Sequence, residues 1–240
     1  MSFDQERTQI LIGAAGLTRL AAQRVMVVGL GGVGGFAAEA VARAGIGRMV
    51  LVDHDRVAPS NCNRQLLALQ STLGRPKAEV MAERLRDIHP AIELEVRNEF
   101  LNPDNIPALL DAGPYDWVID CIDSIVCKAA LVAGCQARGI PVSSALGAGG
   151  RVDVTRARIT TLARTDVCPL AREMRTRLRR LGASLDYPVV FSDEQPVKGL
   201  PHQPVEGGGQ PRAVNGTISY MPGLFGLMLA GHAIRQLMGD

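Results

Sequence analysis

Four glycines fix the architecture before any other feature does. Gly29-Leu-Gly31-Gly32-Val-Gly34 follows the apolar run Val25-Met-Val-Val28 and opens the helical stretch from Phe36 to Ala44. A strand that turns through glycines straight into a helix lets the backbone approach a phosphate closely. The helix N-terminus then offers free N–H groups and the positive end of its dipole. Met49-Val-Leu-Val52 reads as the next strand and ends on Asp53, 19 residues after Gly34. An acid at that place can accept hydrogen bonds from ribose hydroxyls. Val25 to Asp53 thus has the length of one βαβ unit, about 30 residues.

The alternation continues. Residues 2–22 read as an amphipathic helical lead-in. Pro76 opens a helix reaching about Ile88, since proline suits a first helical turn, and Val80, Met81, Leu85 and Ile88 make its apolar face. Ile92–Val96 reads as a strand, and Asn102–Leu110 as a short helix with Asn102 as N-cap and Pro103 first. Trp117–Asp120 is a strand, Ser124–Arg138 a helix and Pro141–Ala145 a strand. This order predicts an α/β fold, a doubly wound, mostly parallel sheet of Rossmann-like type. Past residue 150 the rhythm changes. Arg151–Val154 and Ile159–Leu162 read as a short antiparallel pair, 169–181 as a basic helix, and Val189–Phe191 as a strand. Residues 194–213 read as a mobile loop, and Leu224–Ala230 as the centre of a buried final helix.

Composition narrows the class. A chain of 240 residues, 47% hydrophobic, can bury one large core, which excludes a disordered protein. Lys and Arg total 26 against 24 acids, so any nucleic-acid surface must be local. One such excess exists: Arg156, Arg158, Arg164, Arg172, Arg175, Arg177, Arg179 and Arg180 face only Asp153, Asp166 and Glu173 within 151–182. Ala213–Gly231 lacks charge but holds Asn215, Gly216, Ser219, Pro222 and Gly223, so a buried helix fits it better than a membrane span. Acids near the N-terminus do not suit a signal peptide, and a cytoplasmic protein is expected. Cysteines 62, 121, 127, 135 and 168 include no CxxC pair, which argues against structural zinc and a disulfide framework. Cys121, Cys127 and Cys135 read as core. Cys168 lies close to Arg164 and Arg172, and its chemical role stays open, as does that of Cys62.

The next motifs separate dinucleotides from triphosphates. After Asp53-His-Asp55 come Ser60-Asn61-Cys-Asn-Arg64-Gln65 and Gly74-Arg-Pro-Lys77. A NAD-binding regulator has no evident use for an Arg and a Lys there, whereas a triphosphate carries charge beyond the reach of the glycine loop. Arg64 can fork onto phosphate oxygens, and Lys77 supplies a point charge with three donors. Asp123, past the strand ending at Asp120, lies at the carboxyl end of the sheet where ligands bind in such folds. It suits a Mg²⁺ ligand better than its other reading, a cap for the helix beginning near Ser124. The candidate nucleotide contacts are Gly29, Gly31, Gly32, Gly34, Asp53, Asp55, Asn61, Arg64, Gln65, Lys77 and Asp123.

Taken in order, GxGGxG, Asp53, SNxNRQ, GxPK and Asp120-Cys-Ile-Asp123 make the chain resemble the ubiquitin-activating-enzyme-like adenylyltransferases over residues 6 to about 150. The resemblance implies an adenylation core over 1–150, with 151–240 as the C-terminal portion of the same domain. It implies ATP and Mg²⁺, a carboxylate adenylated with loss of pyrophosphate, and a homodimer in which Arg7 reaches the partner's triphosphate. Arg64, Lys77, Asp123 and Arg7 would then be catalytic, with Asp123 on the metal. Further features narrow the likeness: Arg7-Thr…Leu11-Ile-Gly13…Gly16-Leu17, Gly147-Ala-Gly-Gly150 with Asp153-Val-Thr155, Pro169-Leu-Ala, and Pro188-Val-Val-Phe-Ser192. They look most like the branch that dehydrates threonylcarbamoyladenosine beside the anticodon of tRNA. That branch implies ATP-driven ring closure and a tRNA partner for the arginine-rich segment. The alternative is activation of the C-terminal glycine of a ubiquitin-like sulfur carrier, against which the missing CxxC pairs argue. A monovalent cation, and a cysteine desulfurase or other sulfur-transfer partner, stay open. Cys62 and Cys168 depart from the residues usual in the family.

Overall fold

The structure, a computed structural model, describes residues 4–203, 212–214 and 216–239. Helix α1 (Glu6–Ala22) leads into β1 (Arg24–Val28), α2 (Gly34–Arg43), β2 (Arg48–Val52), α3 (Lys77–Ile88) and β3 (Glu93–Arg97). Then come α4 (Ile106–Asp111), β4 (Trp117–Asp120), α5 (Ile125–Ala137) and β5 (Val142–Ala145). The chain closes with β6 (Ala157–Thr161), α6 (Pro169–Arg180), β7 (Pro188–Ser192), β8 (Leu200–Gln203), β9 (Arg212–Val214) and α7 (Met221–Met238).

Seven strands form one sheet in the order β3-β2-β1-β4-β5-β7-β6. All neighbours run parallel except β6, which is antiparallel to β7. Strand order reverses between β1 and β4, and in open α/β sheets the ligand crevice opens at that switch point. The glycine turn leaves β1 there. Val25 and Val27 point into the core on one face, with Ala37, Val41, Leu85 and Phe225. Met26 and Val28 point into the other, with Leu109, Leu131, Met174 and Leu178. That is the period-two alternation of a strand covered on both sides. Helix α7 lies along α2, with Gly223 against the Phe36 ring and Gly226 against the Val33 carbonyl.

Several expectations move. The lead-in helix is broken at Gly13 (φ 70°, ψ 170°), a backbone state favouring glycine. Asn102 does not cap a helix at Pro103. Its Oδ1 accepts from the N–H groups of Asp104 and Asn105, forming a turn, and α4 starts only at Ile106. Arg151–Val154 does not pair with Ile159–Leu162. β6 pairs with β7 instead, Ile159 opposite Val190, while Asp153 accepts from Thr155 and caps a short 3-10 turn. Of the expected loop 194–213, residues 200–203 and 212–214 form a two-stranded antiparallel ladder, and 204–211 lie outside the described residues. Among the described residues, no helix is long and apolar enough to cross a membrane.

Candidate nucleotide site

The glycine loop is shaped by close packing at both ends. Gly29 has φ 86°, and a Cβ there would stand 2.8 Å from the Cys121 carbonyl oxygen. A Cβ on Gly34 would run into the Gly29 carbonyl, and one on Gly32 would lie 2.9 Å from Pro222 Cβ. Gly31 is different, since its nearest neighbour beyond the loop is the Gln65 amide nitrogen, 3.6 Å from a built Cβ. Helix α2 starts at Gly34 with no side chain capping it, which leaves its first N–H groups to other acceptors.

Asp53 fastens this loop. Its Oδ2 accepts from Leu30 N–H at 2.6 Å and its Oδ1 from Asp55 N–H at 2.8 Å. Asp55 in turn accepts from Lys77 Nζ at 2.8 Å, and its carbonyl accepts from Lys77 N–H. The Lys77 side chain is 5% exposed and the Asp55 side chain 50%, so the ammonium is held at the foot of an open carboxylate. Carboxylate and imidazole atoms of Asp53, His54 and Asp55 gather within 4.8 Å. Leu30, Asp55 N–H and Lys77 already use these carboxylates, so the cluster reads as a knot tying β2 to the glycine loop and α3.

The Ser60–Gln65 segment folds over the same loop. Asn61 Oδ1 accepts from Ala58 N–H, closing the turn. Arg64 carbonyl oxygen lies 3.4 Å from a Cβ built on Gly32. The half-buried Arg64 guanidinium donates to Ser60 O at 3.0 Å and Asn63 Oδ1 at 2.8 Å. Asn63 Nδ2 donates to Thr217 O. Asp123 is exposed, two residues past the Cys121 carbonyl that touches Gly29. Loop, Asp53, Asp55, Asn61, Arg64, Gln65, Lys77 and the turn bearing Asp123 thus converge at the carboxyl ends of β1, β2 and β4. Arg7 does not join them. It is exposed on α1, two residues after Gln5, whose amide donates to Arg43 O at the far end of α2.

A buried group escaped the sequence reading. Asp120 and Lys128 are both fully buried and paired at 2.7 Å. Asp120 Oδ2 also accepts from Ser144 Oγ at 2.6 Å, and its Oδ1 from Ile122 N–H at 3.1 Å. Burial pushes the neighbouring Tyr187 phenol up. The available signal was a pair of serines, Ser143 and Ser144, in a strand with no exposed face. Arg151 was likewise missed. It is buried, donating to the carbonyls of Gly147, Gly149 and Glu194, and so fastens the loop after β5.

Of the cysteines, Cys127 and Cys135 are buried and Cys62 is exposed. Burial pushes the Cys135 thiol up to about 12 and raises Cys121 as well. Cys168 is also buried, beside a cavity of about 140 Å³ bordered by Arg172 and Arg175. The arginine excess divides in two. Arg156 and Arg158 pair with Asp193, Arg177 with Glu173, and Arg175 donates to Thr165. Arg164, Arg172, Arg179 and Arg180 are exposed.

Comparison with known proteins agrees with this geometry. The ThiF family profile matches residues 5–240. The tRNA threonylcarbamoyladenosine dehydratase of Bacillus subtilis is 38% identical over 243 residues, covering 98% of this chain and 94% of that protein. The solved structure of the Escherichia coli tRNA N6-threonylcarbamoyladenosine dehydratase in complex with ATP superposes with TM-score 0.86 at 39% identity, covering 97% of this chain and 93% of that one. The Escherichia coli molybdopterin-synthase adenylyltransferase is 39% identical over 121 residues, half of this chain and 48% of that protein.

Proposed function

The chain belongs to the ThiF family, and from that premise we propose that it is an ATP-dependent dehydratase of threonylcarbamoyladenosine in tRNA. One observation carries the reading: Asp53, Lys77, the Arg64 segment and the Asp123 turn all meet on one glycine loop. Likeness to the dehydratases spans nearly the whole chain, whereas likeness to the molybdopterin adenylyltransferase stops at half. That difference favours the tRNA substrate over a sulfur-carrier protein.

ATP and its metal suit the residues present. The backbone at Gly29 and Gly31–Gly34 would cradle the phosphates, and the carboxylate of Asp53 retains lone pairs for ribose hydroxyls beyond the two N–H groups it accepts. Arg64 and Lys77 would neutralise the outer phosphates. Asp123 would hold Mg²⁺, which needs only one or two carboxylates beside phosphate and water. In the reaction, a carboxylate oxygen of the modified nucleoside attacks the α-phosphorus of ATP. The bond to the bridging oxygen breaks, and pyrophosphate leaves with the electron pair. A nucleophilic atom of the same side chain then loses its proton and attacks the acyl carbon, and AMP leaves carrying the former carboxylate oxygen. The net change is loss of one water. Because the second attack is intramolecular, effective molarity supplies much of its rate. The protein chiefly clamps charge in the first step.

Arg7 supports a homodimer. Ten residues of α2, about 15 Å, separate the Gln5 contact at Arg43 from the glycine loop. The guanidinium therefore serves a triphosphate only in a second copy, and the same helix presents Ile10 and Leu11 to the outside. The exposed Arg164, Arg172, Arg179 and Arg180 suit tRNA phosphates, because Leu170 at the start of α6 borders Gly147 past the carboxyl end of β5. A cytoplasmic setting fits this substrate. Incubation with ATP, Mg²⁺ and tRNA bearing threonylcarbamoyladenosine, followed by gentle digestion and nucleoside mass spectrometry, should show ATP-dependent loss of one water. Unchanged nucleoside, with intact tRNA and folded protein, would move the assignment to a protein carboxylate.

A further inference from the structure

Lys128 and Asp120 form a fully buried ion pair that the mechanism above does not use. Such pairs are weak sources of stability, because desolvating both charges offsets most of their attraction. This one sits where the chain leaves β4 for the turn carrying Asp123. Its parts come from three elements: Asp120 ends β4, Lys128 lies in the first turns of α5, and Ser144 lies on β5. The paired carboxylate is an acceptor only, and its donors are Lys128 Nζ, Ser144 Oγ and Ile122 N–H. The last of these fixes the backbone one residue before Asp123. On the other side of the turn, Cys121 N–H donates to Val28 O, and the Cys121 carbonyl sets the limit at Gly29. The other titratable groups near Asp120 are Cys121, Cys135 and Tyr187, whose burial raises all three. They therefore stay neutral, and Lys128 is the counter-charge.

We propose that Lys128 is a positioning residue for the nucleotide site: through Asp120 it holds the 121–123 turn, and with it the Asp123 carboxylate, in register with the glycine loop. The inference rests on the nucleotide reading of that site. Replacing Lys128 by Met leaves a buried carboxyl without its counter-charge. Left buried without that partner, the carboxyl is no longer held in place and loosens its hold on Ile122. The Asp120→Asn/Lys128→Met double variant restores a neutral pair. Its amide oxygen accepts from Ile122 N–H and its NH₂ group faces Ser144 Oγ.

The test measures melting temperature, AMP and ATP affinity in Mg²⁺, and kcat and KM on the modified tRNA for both variants. Lys128→Met should keep AMP affinity within about threefold, weaken ATP about tenfold, and lower kcat on the order of 10²-fold, the scale expected for misplacement near 1 Å. The double variant should recover kcat to within about threefold. Wild-type kcat in folded Lys128→Met, or a folded double variant as inactive as the single one, would overturn the proposal. If Lys128→Met does not fold, the double variant decides alone: recovery supports the proposal and loss overturns it. The nucleotide titrations need no tRNA. If wild-type protein proved inactive on the modified tRNA, the ATP-to-AMP affinity ratio would still decide the role of Lys128.

Discussion

Replacing Gly29 by Ala tests the loop where geometry is least forgiving. Two costs add. An L-residue at φ 86° is strained by about 1–2 kcal/mol. A methyl 2.8 Å from the Cys121 carbonyl oxygen and 2.9 Å from its carbon meets backbone that cannot rotate aside, an overpacking of about 1–3 kcal/mol. Together they come to about 3 kcal/mol. If the fold absorbs the strain, the melting temperature drops by roughly 6–12 °C for a chain of this size. If the loop backs away from β4, its N–H groups move off the phosphates and AMP affinity falls by up to about 150-fold. Calorimetric AMP titration and a thermal melt on the same protein capture both routes. Gly35→Ala is the control, since its Cβ would make only ordinary contacts, with Leu66 at 3.6 Å, the Leu30 carbonyl oxygen at 3.8 Å and Leu67 at 3.9 Å. It should be neutral or stabilising by up to about 1 kcal/mol. A Gly29→Ala protein with wild-type melting and wild-type AMP affinity would refute the packing argument.

Other perturbations probe separate parts. Arg64→Ala and Lys77→Ala should each abolish turnover while circular dichroism shows an intact fold. Lys77→Ala should also lower stability, by about 0.5–3 kcal/mol, because the side chain is 5% exposed and its stem is lost from the packing. Gly226→Ala should push α7 off the Val33 carbonyl and destabilise by about 1–3 kcal/mol, read from denaturant midpoints. Burial alone would raise the Glu39 carboxyl, but hydrogen bonds from Arg84 and Arg43 outweigh it and hold it below 4.5. Its contribution is therefore present above the ordinary carboxylate range and lost as pH falls through the lowered pKa. Glu39→Gln should flatten that acid limb in melting-temperature scans.

What the sequence disclosed was local. β1, the glycine turn and α2 are contiguous, so periodicity and glycine placement specify them together. The residues proposed for the triphosphate lie in short motifs, and the structure brings those segments together at the carboxyl ends of β1, β2 and β4. The losses were non-local or finely poised. Residues 151–154 and 159–162 both looked like strand, yet β6 found a partner 30 residues on at β7, a choice no local pattern encodes. Asn102 can close a turn or cap a helix with the same oxygen, and the turn prevailed. Lys128 lies in an apolar helical stretch where only the adjoining strand reveals that its charge is matched. Arg7 was legible as a residue, but the role proposed for it lies on a second copy of the chain.

The placement of α7 bears on how the protein is made. Pro222 touches the glycine loop, and Gly226 rests on the turn into α2, although more than 180 residues separate them in the chain. At elongation rates of 5–20 residues per second, roughly 10–40 s pass between synthesis of the loop and of the helix that covers it. For about the last 5–20 s of that interval, after Asp123 has been made, the nascent chain carries every proposed phosphate-binding motif but lacks one wall of the cradle. Competence to bind nucleotide should therefore appear late in translation, when α7 clears the ribosome, rather than when the motifs themselves emerge.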